Sequence, residues 1–339
     1  MTTRDTVLEV DGLSVGFGPQ APNALPPVIE DVSFSVRRGE IVCLVGESSS
    51  GKSVTSLALM GLLPPSARIT GEIMLHGREA GEPSLDLLQL SRRARNRIRG
   101  HRISMVFQDP MNCLDPIFSI GNQLVEILRW HNALSRVEAW RQGIGYLHAV
   151  GINQPDVCMK RMPHELSGGM RQRVMIAMAL AGKPELLIAD EPTTALDVTV
   201  QAQVLDLLLR LRTQTGMSVI FITHNLAVAS RIADRIIVMY AGQIVENSSA
   251  ESFFTRPAMP YSRALLDALP TVDMIRQGQK RLKTISGNVP GLAERPAGCR
   301  FFPRCVHGVA AMCDSGSPVL QSAGADHLVR CRRWEEISA

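Results

Sequence analysis

The stretch GESSSGKS, Gly46 to Ser53, sets two glycines, a lysine and a hydroxyl at the spacing G-x-x-x-x-G-K-S. Successive backbone N–H groups in such a loop cradle phosphate oxygens, and the positive end of the helix that follows adds to the attraction. Lys52 is placed to reach the β- and γ-phosphates of a nucleoside triphosphate, and Ser53 to hold Mg²⁺. A second constellation closes an apolar run, LLIADE. There Asp190 suits the Mg²⁺ shell, and Glu191 suits a general base that polarises an attacking water. Two acids after a strand would by themselves more often cap the next helix. Beside a phosphate loop, triphosphate hydrolysis is the better reading.

These groups need elements to hold them. EIVCLVG, before the loop, is fully apolar, as a buried parallel strand would be. A helical pattern runs from Ser53 to Leu63 and stops at Pro64-Pro65. Val7 to Phe17 alternates as a strand, a proline-rich insert covers 19–27, and DVSFSV and GEIMLHG read as further strands. From about Leu85 to Met170 the periodicity is mostly helical. LLIAD, a helix at Val200–Thr213, SVIFIT, another helix and RIIVMYAGQIVE follow. Strands alternating with helices predict an α/β fold with a parallel sheet. A break comes near Tyr261, and from Gly287 the tail reads as a separate small module.

Across 339 residues, 45% hydrophobic and 20% charged, the chain can bury a sizeable core. Its formal net charge of +4 is too small to argue for nucleic acid. The one strong charge run, RRARNRIRGHR at Arg92–Arg102, has no interleaved aromatics for base stacking. It reads as a solvated helix face or a strip near anionic lipid. The sequence offers neither a secretory h-region nor a membrane-spanning run, so a cytosolic setting is expected.

HELSGGMRQRV, His164 to Val174, resembles the signature motif of ABC-transporter ATPase subunits. Gln108 in VFQDP is similar to the family's Q-loop glutamine, Asp197 in TTALDVT to its D-loop aspartate, and His224 in FITHNL to its switch histidine. Phe17 matches the aromatic that stacks on adenine. The resemblance implies a P-loop ABC ATPase core with a parallel sheet, an antiparallel β subdomain and an inserted helical subdomain. By position, ATP would be held by Phe17, Gly46, Glu47, Ser48, Ser49, Ser50, Gly51, Lys52, Ser53, Val54, Gln108, Asp190 and His224. Ser167, Gly168, Gly169 and Asp197 would reach ATP bound to a partner, because family ATPases close head to tail. Mg²⁺ falls to Ser53, Gln108 and Asp190, and catalysis to Glu191, His224 and Gln108. One departure stands out: Ser49 occupies a loop position where the family usually has glycine. If φ is positive there, serine costs on the order of 1 kcal/mol.

GCRFFPRC, preceded by PYSRALLDALP, is similar to the tail of ATPases that serve oligopeptide and dipeptide importers. The expected organisation is an ATPase domain over 1–250, with its helical subdomain at about 85–170, and an importer-type region over 251–339 holding a four-cysteine module at about 287–339. Cys299, Cys305, Cys313 and Cys331 lie in a stretch poor in aliphatic periodicity, where disulfides are disfavoured by the expected compartment. Their spacing suits a [4Fe–4S] cluster better than zinc, which prefers close pairs; free thiols are the third reading. The other three of the seven cysteines, Cys43, Cys113 and Cys158, need only small-side-chain packing.

The resemblance further implies work at the cytoplasmic face of the inner membrane. The partners would be two transmembrane permease subunits, a second homologous ATPase in a heterodimer and, indirectly, an extracytoplasmic substrate-binding protein. The rival is a soluble ABC ATPase acting on DNA or ribosomes. The sequence has neither the long coiled-coil insert nor the second ATPase core typical of that group.

Overall fold

Alternating burial builds the first two strands. β1, Thr6–Phe17, buries Val7, Leu8, Val10, Leu13 and Val15, and β2, Ile29–Arg37, buries Val32, Phe34 and Val36. With β4, Ala67–Leu75, and β5, Leu85–Asp86, they make a sheet ordered β2-β1-β4-β5. Between β2 and β4 comes β3, Ile41–Val45, buried at every residue. The computed structural model describes residues 5–18, 25–78, 82–109, 113–193, 196–269 and 284–338. Positions 19–24 of the proline-rich insert, Pro110 of VFQDP, Thr194 and Ala195 of TTALDVT, and Pro270 of PYSRALLDALP lie outside the described residues.

The chain divides into two compact units. The first comprises Met1–Glu9, Ser35–Glu40 and Met74–Ile222. In it β6, Ile103–Val106, runs parallel to β7, Leu186–Asp190, which runs parallel to β8, Ser218–Thr223. The stretch read as mostly helical therefore also carries β5 and β6. ISMV is too short an apolar run to form a helix of its own, and it gains its hydrogen bonds by pairing with β7. The helices Ile120–Asn132, Arg136–Ala149 and Gly168–Leu180 each start at a serine, Ser119, Ser135 and Ser167, whose hydroxyl accepts a first-turn N–H. The arginine run splits: Arg92, Arg93 and Arg97 are exposed, while buried Arg102 bonds to the Glu185 carboxylate.

The second unit comprises Val10–Phe34, Ile41–Ile73 and Thr223–Ala339. Here β3 lies parallel to β9, Arg235–Tyr240, which turns at Ala241-Gly242 into antiparallel β10, Gln243–Ser249. Both turn residues have positive φ, 45° and 87°, which closes a tight hairpin. The tail then adds to this sheet: β12, His327–Val329, pairs with β10, and β11, Gln321–Gly324, pairs with β12.

Arginines fasten the tail further. Arg295 donates to the carbonyls of Pro27 and Val28 at 2.6 and 2.9 Å, and Arg300 to Ala241 O at 2.6 Å and to the Glu30 carboxylate. Arg330 reaches Ile244 O at 2.8 Å and Asp31 Oδ2 at 3.1 Å. Glu246, fully buried, accepts from Ala258 N and Met259 N and sits 2.7 Å from His327 Nε2. The buried polar groups here take partners in place of the water that burial removed.

Candidate nucleotide site

In the second unit the loop after β3 wraps Lys52. Its Nζ donates to the carbonyls of Gly46 and Glu47, both at 2.9 Å, and to Ser50 Oγ at 3.3 Å. The ammonium is thus held over the loop by its own backbone, with only 6% of the residue exposed. Gly46 has φ 152°, and a Cβ there would collide with Met239 O and lie 2.9 Å from Ser50 Oγ. Only glycine fits. Ser48, Ser49 and Ser53 are exposed, and Val54 is half-buried in the helix Lys52–Met60. That helix ends at Gly61 in the left-handed conformation, ahead of the two prolines.

Ser49 has φ 65°, so the strain considered from sequence is present. Ser49→Gly should relieve roughly 1 kcal/mol of left-handed strain, partly offset by glycine's freedom in the unfolded chain. Nucleotide affinity measured by calorimetry is expected to stay equal or to tighten up to about fivefold. A marked loss would instead mean that the Ser49 hydroxyl binds phosphate.

In the first unit Gln108 and Glu191 come together: the amide Nε2 donates to Glu191 Oε2 at 3.1 Å. Glu191 has φ 46°, and its N–H donates to Ile222 O at 3.0 Å. That bond anchors its backbone to the end of β8. Asp190, the last residue of β7, is buried, with 6% exposure.

Ser167 caps the helix Gly168–Leu180 by accepting from Met170 N at 3.3 Å, and both Ser167 and Gly168 are exposed. A Cβ on Gly169 would approach Val200 Cγ1 to 2.8 Å. Val200 belongs to the helix Val198–Thr215, which Asp197 caps by accepting from Val200 N at 2.9 Å. The signature segment and Asp197 therefore lie at the starts of two neighbouring helices. His224 is exposed, between β8 and the helix Leu226–Ile232, whose N-terminus Asn225 caps. Phe17, at the end of β1, is 38% exposed.

Comparison with known proteins fits this geometry. The ABC transporter family model matches residues 29–194, and the oligopeptide/dipeptide transporter C-terminal region model matches 245–313. A Brucella melitensis protein named for ATP binding in peptide import is 47% identical over 99% of this chain and 100% of its own length. The oligopeptide transport ATP-binding protein OppD of Escherichia coli is 46% identical, over 93% of this chain and 90% of that one. The chain belongs to the ABC-transporter ATP-binding subunits of the oligopeptide/dipeptide importer family. A solved dimeric ATP-binding cassette, MJ0796 with ADP and Pi, superposes with a TM-score of 0.61 at 25% identity, over 72% of this chain and 98% of that one. The DNA- or ribosome-directed alternative finds no support among these relatives.

In this importer ATPase the four tail cysteines lie within electrostatic reach of one another. Burial pushes the Cys299 thiol up to about 11; the N–H of Phe301 works against the rise, and Cys331, Cys305 and Cys313 add to it. Burial likewise raises Cys305 and Cys331, opposed by N–H bonds from His307 and Arg333. Cys299 N donates to Cys313 O at 2.7 Å, which joins two of the loops. Among the described residues no three or more His, Cys, Asp or Glu side chains form a group that could hold a metal ion.

Sequence reasoning passed over the tail's contact with the importer ATPase's phosphate loop. Glu47 N donates to Tyr261 Oη at 3.0 Å, and the Arg304 guanidinium meets the Glu47 carboxylate at 2.9 and 3.1 Å. Tyr240, Tyr261 and Phe301 pack behind them with ring centroids 4.6–5.3 Å apart. One signal was available: an acid inside a phosphate-binding loop calls for a nearby cation.

Proposed function

We propose that this chain is the ATP-hydrolysing subunit of a di- or oligopeptide importer, bound at the cytoplasmic face of the membrane. A single combination supports the reading best: a phosphate loop and a paired Gln108–Glu191 stand in one chain with an importer-type C-terminal region. In the proposed cycle the loop N–H groups and Lys52 bind the phosphates, and Phe17 stacks on the base. Glu191 accepts a proton from the water that attacks the γ-phosphorus; the P–O bond to ADP breaks, and phosphate leaves. His224 orients the γ-phosphate, and the Gln108 amide holds the Glu191 carboxylate. Ser53, Gln108 and Asp190 offer a hydroxyl, an amide oxygen and a carboxylate, a hard-oxygen set suited to Mg²⁺. When bound, Mg²⁺ neutralises the charge that builds on the transferring phosphate.

Ser167, Gly168, Gly169 and Asp197 are read as the groups that cap ATP on a second, homologous ATPase. Exposure of Ser167 and Gly168 at a helix start supports that role. Two permease subunits are the proposed membrane partners. In the first unit a cleft of about 620 Å³ is bordered by Phe118, Glu126, Arg129 and Trp130. Phe118 and Trp130 are 51% and 72% exposed. Large apolar side chains left so open favour the seat of a short permease helix. A substrate-binding protein would deliver peptide to the permeases, so this chain never meets the cargo. We retain the organisation into 1–250, with a helical subdomain at about 85–170, and 251–339. Among the described residues no helix is long and apolar enough to cross a membrane. Co-expressed with its permeases and solubilised in detergent, the chain is expected to co-purify with them; a chain recovered wholly apart would contradict the reading.

For the cysteines we favour a [4Fe–4S] cluster on Cys299, Cys305, Cys313 and Cys331, with zinc as second choice. In support, three of the four sulfurs accept an N–H from two residues onward, a contact that favours the thiolate against the larger opposing effect of burial. Purified without oxygen, the protein should be brown and hold about four irons per chain. Cys→Ser at any of the four is expected to bleach it. A colourless anaerobic preparation with one zinc per chain would decide against the cluster.

A further inference from the structure

We propose that Arg304 is a positioning residue of the nucleotide site, through which the C-terminal segment holds the phosphate loop by its Glu47. This inference rests on the reading of Gly46–Ser53 as a nucleotide loop. An acid in that loop is a liability, because its charge would stand beside the triphosphate and repel it. Arg304 answers it with a two-pronged pair: Nη1 to Glu47 Oε1 at 2.9 Å and Nη2 to Glu47 Oε2 at 3.1 Å.

The fork is itself fixed. Arg304 Nε donates to Ser286 O at 2.8 Å, Nη1 also to Tyr240 Oη at 3.3 Å, and Nη2 to Ile285 O at 3.4 Å. Its side chain is 5% exposed against 29% for that of Glu47, so the cation is the anchored partner. A second hold comes from the backbone. Tyr261 Oη accepts the Glu47 N–H, and burial keeps that phenol protonated. One loop residue is thus gripped at its carboxylate by the tail and at its peptide by the helix Pro260–Asp267. Arg304 never touches nucleotide in this scheme. It withdraws and neutralises the one anion that the loop carries.

A purely structural rivet would look similar, since Arg295, Arg300 and Arg330 also fasten the tail. The two roles separate on one point. If Arg304 acts by neutralising Glu47, its loss is harmful only while Glu47 is charged. The test is a four-member cycle on the full chain: wild type, Arg304→Gln, Glu47→Gln and the double variant. MgADP and ATPγS binding is read by calorimetry, and melting temperature is read in parallel. Arg304→Gln is expected to weaken nucleotide about tenfold, with the double variant returning to within about twofold of Glu47→Gln. Arg304→Lys, which keeps the charge and loses the fork, should stay within about threefold of wild type and covers the case in which the Gln variant does not fold. Equal affinity in wild type and Arg304→Gln would overturn the inference alone. So would a loss that Glu47→Gln fails to rescue, or a stable Arg304→Lys that binds tenfold more weakly. A wild-type chain that binds neither nucleotide would overturn the nucleotide reading with it.

Discussion

Glu191→Gln is expected to leave nucleotide binding intact while lowering hydrolysis at this site by about 10²–10⁴-fold, the usual contribution of a general base. The substitution keeps size and hydrogen-bonding capacity but removes the carboxylate proton acceptor that comes directly after β7. Gln108 donates to Glu191 Oε2, and an amide oxygen at position 191 can still accept that bond, so the local geometry should survive. Glutamine at 191 inherits the φ of 46°, a cost that the wild-type residue already bears. The variant should therefore bind ATP, close with its partner and stay closed, because release follows hydrolysis. Single-turnover rates and trapped nucleotide on the assembled transporter measure both halves. Unchanged turnover would mean that Glu191 is not the base, or that the partner's site carries the flux.

Lys52→Ala should act one step earlier and weaken binding rather than chemistry. In the proposed site the ammonium would give charge-assisted hydrogen bonds to the phosphates, and removing it should cost about 100-fold in affinity. The structure adds a second loss. Lys52 Nζ ties together the carbonyls of Gly46 and Glu47 and the Ser50 hydroxyl, so its removal also releases the loop from its own backbone. Arginine at 52 would keep the charge but, nine-tenths buried in that space, would not fit the same three acceptors. Equilibrium binding of MgATP decides the matter. Near-normal affinity in Lys52→Ala would break the link between the loop and the phosphates.

What could be read from the sequence depended on how local each constraint was. Gly46 and Lys52 were legible because a loop that wraps phosphate demands a positive φ and a lysine at fixed spacing, over eight consecutive residues. Ser167 and Asp197 were singled out by the resemblance of their segments to family motifs, and the structure shows that each also caps a helix. β5 and β6 were absorbed into a helical region because short strands show little periodicity before their partner is known. The attachments of the tail were the least legible. Taken alone it looks too poor in aliphatic residues to bury itself, and so it reads as a separate module. In the structure β12 joins β10, and arginines reach partners that no pattern could link. Arg304 and Glu47 are 257 residues apart, and Arg300 and Glu30 are 270. The Pro27 and Val28 carbonyls that accept from Arg295 leave no trace in side-chain type at all. Charge, unlike hydrophobic alternation, has no period to betray its partner.

The central claim is that ATP turned over by this chain drives peptide across a membrane. Its most direct test is transport in proteoliposomes that hold the chain with its two permeases and partner ATPase, oriented with the ATPases outside. Peptide-loaded binding protein is enclosed, and MgATP is added from the outer face. The account predicts ATP-dependent appearance of labelled peptide outside, together with a rise in hydrolysis over vesicles with empty binding protein. Both should fall to background with Lys52→Ala. Hydrolysis indifferent to loaded binding protein, with no peptide moved, would contradict it.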